Sequence, residues 1–217
     1  MRSWSRAHLQ SIISYTLNNS MSVITYHDVT LYPEDVNLLK RPNWLNDNIM
    51  SFYFEYLTFE RFKDQRQNFA FIHPSTVFMT TFMSGSEISE VLSALDLTSK
   101  SLVFLPINNN RDVNKMGGSH WSLLVFNHHD RAFHHYDSSS GMNSSAAQNV
   151  AAKLSSLLPV ASAKVEEEVS PQQSNSYDCG VYVLALSELL AECNGEVHEK
   201  VRGLREHIGE LIEMNSK

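Results

Sequence analysis

Near its C-terminal end the chain reads Gln173-Ser174-Asn175-Ser176-Tyr177-Asp178-Cys179-Gly180-Val181-Tyr182-Val183. That run places a thiol on the first turn of an apolar helix, with a side-chain amide six residues before it. A helix N-terminus carries partial positive charge and N–H groups without intrahelical partners. Both favour a thiolate, which is the nucleophilic form of cysteine. The Gln173 amide is suited to holding an oxyanion. The expectation is nucleophilic catalysis by Cys179, as in a cysteine protease.

Such chemistry needs a base for the thiol and a group that holds the base in one tautomer. His120 stands at the head of an expected strand, after Gly117-Gly118-Ser119, and Asp137 stands at the tail of the next. Antiparallel strands joined near Asp130 would bring the two side by side, at a strand spacing of about 4.8 Å. The contact from Cys179 to this pair is not legible in sequence. Each residue alone has a plainer reading. His120 would be one surface histidine among ten, Asp137 a turn residue in Asp137-Ser138-Ser139-Ser140-Gly141, and Cys179 a buried inert thiol. The ordered combination outweighs these.

The formal net charge of -7 argues against nucleic acid as a partner. The only cysteines are Cys179 and Cys193. Fourteen helical residues separate them by roughly 20 Å, whereas a disulfide needs Cα atoms within about 7 Å. Two free thiols fit a reducing compartment. No apolar run has the length of a membrane span. Residues 1–20 carry Arg2 and Arg6 and no acid, a composition like that of a transit peptide. The plainer reading is a disordered extension, with Met21 as an alternative initiator. The expected organisation is an N-terminal extension over residues 1–21 and one domain over residues 22–217.

Hydrophobic periodicity predicts an extended entry over residues 22–30. It then predicts a helix from about residues 43–46 carrying Leu45, Ile49, Phe52, Tyr53, Tyr56 and Leu57, and helices over 74–82 and 84–95. Short strands follow over 102–107, 121–126 and 132–136, with a polar loop over 108–118 between the first two. Helices over 148–158, 179–192 and 197–213 and a strand over 160–168 complete the reading. Helices, then strands, then helices describe an α+β domain. His134, His135 and Asp137 suggest a metal cluster at first sight, but neighbouring strand residues point to opposite faces. No metal and no cofactor are expected, Glu166–Glu168 reads as a solvated edge, and Cys193 as a small buried hydrophobe.

The segments Gly117-Gly118-Ser119-His120-Trp121-Ser122, His135-Tyr136-Asp137-Ser138, Gln173-Ser174-Asn175-Ser176-Tyr177-Asp178-Cys179-Gly180 and Trp44-Leu45-Asn46-Asp47 resemble the sentrin-specific and ubiquitin-like-protein-specific proteases. Within that family the chain looks most similar to the small deneddylase type, through Phe71-Ile72-His73-Pro74, residues 102–108 and residues 133–138. The resemblance covers the chain from about Tyr26 onward. It implies a papain-like fold of the ubiquitin-like-protein-specific type, with a central mixed sheet flanked by helices. It implies His120, Asp137 and Cys179 as catalytic residues and Gln173 at the oxyanion. It also implies Trp44 and Trp121 as walls of a tunnel for a Gly-Gly tail, and Asp47 facing basic residues of the modifier. The plainer readings are core packing for the tryptophans and a helix-dipole carboxylate for Asp47. The implied substrate is the neddylation modifier, as precursor and as conjugates with cullin-type proteins, acted on by a monomer in the cytoplasm and nucleus. The alternatives are the sentrin-type modifier or ubiquitin, a catalytically silent modifier-binding module, and acetyl transfer by the same ordered triad.

Overall fold

The structure is a computed structural model that describes residues 22–114, 117–160, 164–192 and 210. The expected N-terminal extension, the helix over 197–213 apart from residue 210, and Cys193 lie outside the described residues. A five-stranded mixed sheet organises the rest, in the order β3 (Phe69–Phe71), β4 (Leu102–Asn108), β5 (Trp121–Asn127), β6 (Ala132–Tyr136), β7 (Val165–Glu167). The three central strands, β4 to β6, run antiparallel to one another, and the two outer pairs, β3 with β4 and β6 with β7, are parallel. Together with the helices on both faces this is the expected α+β architecture.

Side chains alternate across a strand, so each central strand feeds two cores. Phe104, Leu123 and Val125 pack on one face with α2 (Asp47–Tyr56) and α6 (Cys179–Glu192). Val103, Leu105, Ile107, Leu124 and Phe126 pack on the other face with α3 (Pro74–Thr80), α4 (Gly85–Leu92) and α5 (Ser144–Leu154). The first two turns of α6, from Cys179 to Ser187, are buried without a break. A helix apolar on all sides has to be central, and α6 packs across β5. The Tyr53 hydroxyl of α2 donates to Glu188 of α6 at 2.5 Å, which ties the two helices together.

Several boundaries differ from expectation, each for a local reason. The entry segment is a hairpin, β1 (Ile24–Tyr26) with β2 (Val29–Leu31), followed by a short helix, α1 (Pro33–Asn37). Three-residue strands and a five-residue helix carry too few periods to register as a pattern. β3 was hidden for the same reason. The helix expected over 148–158 begins at Ser144 and ends at Leu154. Its first turn is small and polar, which hides it from hydrophobic periodicity. Of the strand expected over 160–168 only Val165–Glu167 is paired, and residues 161–163 lie outside the described residues.

Candidate active site

Three elements deliver the chemistry to one place. β5 begins just after His120, β6 ends just before Asp137, and α6 begins at Cys179. The strand register pairs Leu123 with Tyr136. Continued by one rung, it sets Ser122, not His120, opposite Asp137. His120 and Asp137 are therefore diagonal neighbours, yet their side chains meet, with Nε2 of His120 2.6 Å from Oδ1 of Asp137. The Cys179 thiol lies close enough to the same imidazole to act on its charge. The contact that sequence could not supply is present.

The electrostatics favour an ionised pair. Burial alone would lower the His120 pKa, but hydrogen bonds and charge attraction from Asp137 and Cys179 outweigh it and raise the value to about 9. Burial pushes Asp137 upward, but it is overcome by the bond to His120 and by two backbone N–H donors, and its carboxyl is held below the usual carboxylate range. Those donors are Ser139 at 2.8 Å on Oδ1 and Asn143 at 2.9 Å on Oδ2.

Asn143 was not foreseen. Its N–H holds Asp137, and its side-chain amide donates to the carbonyls of Ile107 at 3.1 Å and His120 at 3.2 Å. One buried residue thus ties together β4 and the His120 backbone through its side chain and the acid through its backbone N–H. Gln172 and Ser170 were also missed, and both donate to the Asp137 carbonyl, at 2.9 and 2.8 Å. The polar residues around Asp137 look in sequence like ordinary turn formers, so nothing there marks them.

Asn175 shapes the approach to α6. Its Oδ1 accepts from the N–H groups of Tyr177 and Asp178, and its amide donates to Asp178 Oδ2 at 2.8 Å. This presents Cys179 on the first turn, where N–H groups lack intrahelical partners. Gln173 lies beside that turn, its Nε2 donating to the Asn175 carbonyl at 2.6 Å. An amide nitrogen carries two N–H groups, and this bond uses one.

Cys179 is only 1% exposed. Gly180 explains part of its cover, because a Cβ there would come within 3.1 Å of Leu45 Cβ and 3.5 Å of Trp121 Cδ1. Without that Cβ, Leu45 and Trp121 close directly over the first turn. Trp121 is 7% exposed, and its indole N–H donates to the Leu45 carbonyl at 3.1 Å. It belongs to the core and also lines a cleft of about 390 Å³, together with Asp47, Phe78, Asn108, Val113 and Gly117. Partial desolvation there raises the Asp47 pKa above its ordinary value, although the residue keeps solvent access. Asn46 caps α2 through Ile49 N–H, and buried Asp35 accepts from Asn46 at 2.6 Å and from Asn48, so Asp47 rests on a braced helix start. Trp44 stands apart from the cleft lining and is 44% exposed. The structure thus brings Asp47 and Trp121 together and leaves Trp44 outside.

The histidines set aside as bystanders occupy opposite faces, as expected. His135 is buried between Ser122 and Glu167, at 2.9 and 2.7 Å. His134, Glu166 and Glu168 place potential ligand atoms within 4.8 Å of one another. They lie at the solvent-facing sheet edge, where the 2.8 Å bond from His134 to Glu168 accounts for the arrangement. Glu166–Glu168 is therefore a histidine-paired edge rather than a purely solvated one.

Residues 43–212 match the Ulp1 protease family, C-terminal catalytic domain. The chain is similar to sentrin-specific protease 8 of Homo sapiens, 43% identical over 173 residues that cover 78% of this chain and 81% of the relative. It is also similar to NEDD8-specific protease 1 of Arabidopsis thaliana, 33% identical over 78% of this chain and 75% of the relative. In fold it is like the C-terminal Ulp1 protease domain solved in complex with Smt3, the yeast ortholog of SUMO. The TM-score is 0.72 at 17% identity, covering 99% of this chain and 97% of that one.

Proposed function

Because the chain belongs to the Ulp1 protease family, cysteine proteases that act on ubiquitin-like modifiers, we propose that it processes and deconjugates the neddylation modifier by cleaving after its C-terminal Gly-Gly. The observation that carries the chemistry is the shared imidazole, with Asp137 on Nε2 and the Cys179 thiol close enough to the same ring to act on its charge. The choice of modifier is supported by the names of the similar proteins, which include NEDD8-specific proteases. Cullin-type conjugates are the expected substrates.

In this reading the Cys179 thiolate attacks the terminal glycine carbonyl carbon, and the carbonyl electron pair moves onto oxygen. The second N–H of the Gln173 amide and the backbone N–H of Cys179 bind that oxyanion. The imidazolium of His120 gives its proton to the departing lysine or peptide nitrogen, which leaves a thioester. Neutral His120 then takes a proton from water, the hydroxide adds to the thioester, and the thiolate departs. Asp137 holds the ring orientation and the charge through both halves. Trp121 and Gly180 confine the tail, and glycine alone fits because it brings no side chain against the indole.

The test is a panel of C-terminal vinyl sulfones and fluorogenic amides of the neddylation modifier, the sentrin-type modifier and ubiquitin. Labelling of Cys179 by the neddylation probe at the highest kcat/KM is expected. Preference for either other modifier overturns the choice of substrate. Cys179→Ala should lose about 10⁴-fold or more in turnover while keeping modifier affinity; retained turnover overturns the chemistry.

A further inference from the structure

We propose that Ser138 is a positioning residue that fixes which way the Gln173 amide faces, and so couples the acid of the triad to the oxyanion site. This rests on the oxyanion reading of Gln173. Ser138 follows Asp137 directly, is 3% exposed, and has no part in the chemistry described so far. Its hydroxyl donates to Oε1 of Gln173 at 2.7 Å, and its carbonyl accepts from the Gln173 N–H at 2.9 Å. The opposite end of the same amide donates to the Asn175 carbonyl at 2.6 Å.

The two ends of a glutamine amide differ only in chemistry, so orientation has to be imposed by partners. A carbonyl such as that of Asn175 only accepts and requires the NH₂ end. A hydroxyl supplies the matching donor for the oxygen end. If the amide flips, an oxygen replaces an N–H at the position where negative charge develops, and attraction becomes repulsion. Removing the hydroxyl leaves the part-buried Oε1 without its donor, and the flipped and unflipped states approach each other in energy. The two clamps on Gln173 come from different chain segments, residues 138 and 175. The Ser138 clamp is the one continuous with Asp137, whose own carbonyl is held by Ser170 and Gln172. The Asp-Ser pair seen in the sequence thus serves two arms of one site, Asp137 orienting the base and Ser138 orienting the oxyanion donor.

The experiment compares full-length Ser138→Ala, Gln173→Ala and the double variant on a fluorogenic amide of the neddylation modifier. Gln173→Ala should lower kcat by roughly 10²-fold. Ser138→Ala should lower kcat by about 5- to 20-fold with KM unchanged. The double variant should match Gln173→Ala alone, because an orienter has nothing left to orient. A modifier C-terminal aldehyde, which forms a tetrahedral adduct with the thiol, should bind more weakly to Ser138→Ala by the same factor, while the free modifier acid binds equally. The pair Ser138→Thr and Ser138→Val shares one shape and differs in the hydroxyl. Thr should outperform Val in kcat even where Ala impairs folding. Normal kcat in Ser138→Ala, an equal further loss in the Gln173→Ala background, or Thr and Val behaving alike overturns the proposal. Normal kcat in Gln173→Ala instead overturns the oxyanion reading on which it rests.

Discussion

Two loops flank His120, and they are held in opposite ways. The turn from Asp137 to Asn143 is bonded to distant parts of the chain, namely Ile107, His120, Ser170, Gln172 and Gln173. The described loop residues from Asn108 toward Ser119 include a run of bonds made within the loop itself. Asn110, Asp112 and Asn114 each donate a backbone N–H to the side chain two residues before, and Asn109 exchanges bonds with Ser119. Bonds of the second kind survive if the loop moves as a piece, while bonds of the first kind do not. The difference separates tasks. The acid turn holds Asp137 against His120, and the Asn-rich loop lines the cleft that, in the proposed reading, a substrate tail enters.

The largest expected effect breaks the rigid side. Asp137→Asn should lower kcat by about 10²- to 10⁴-fold, because the imidazole loses both its orienter and its charge partner. It should also shift the pH profile. His120 stays protonated up to about 9 in the intact site, so activity that needs the imidazolium falls as pH rises through that value. Without the carboxylate the basic limb should move to lower pH in stopped-flow kcat/KM measurements, and an unmoved limb would mean that Cys179 alone sets the His120 charge. The signs for stability follow the same shifts. The contribution of His120 is full below its ordinary value of 6.5 and is lost as pH rises through about 9. The contribution of Asp137, whose value is lowered, is present above the ordinary carboxylate value and is lost as pH falls through its folded value.

A smaller loss should come from Asn143→Ala, which keeps the backbone bond to Asp137 but removes the bonds to Ile107 and His120. About a tenfold fall in kcat and a stability loss of about 1–3 kcal/mol are expected, read by turnover and chemical denaturation. Full activity at reduced stability would confine Asn143 to folding. On the other side of the comparison, Gly118→Ala should act on binding. Gly118 has φ of 109°, and an added Cβ would sit 1.9 Å from Asn108 Oδ1, so the loop has to shift. KM should rise several-fold with little change in kcat; a fall in kcat with KM constant would mean that the loop is part of the rigid site. The smallest signal is in hydrogen exchange. Backbone amides of residues 108–114 should exchange faster than those of 137–143 in the free enzyme and slow when modifier is bound. Equal rates in the two loops would erase the distinction.

Much of the site was legible because its residues carry chemistry that few other roles require in that order. Cys179 on a helix start, Gln173 six residues earlier, and His120 and Asp137 at strand ends were all readable, and α2, β4, β5, β6 and α6 followed from their periodicity. The residues that were missed, Asn143, Ser170 and Gln172, act through hydrogen bonds to backbone atoms. Such bonds leave no pattern in sequence, because any polar side chain near a turn has a local use. Trp44 and Trp121 show the same limit from the apolar side. Both are tryptophans beside family motifs, yet one packs against Gly180 and bonds to Leu45 while the other stands exposed.

By itself the sequence determined which groups are candidates to react, because the expected nucleophile, base, acid and oxyanion donor were chosen by residue type and by their placement at the ends of elements. Only the tertiary structure decided how they meet. The diagonal reach of His120 to Asp137 depends on strand register, a long-range property. The burial of Cys179 depends on Leu45 and Trp121 converging over a glycine from two other elements. The orientation of Gln173 depends on partners thirty-five residues before it and two residues after it. Local preferences set each element, but distances of a few ångströms between elements come from packing both faces of one sheet at once.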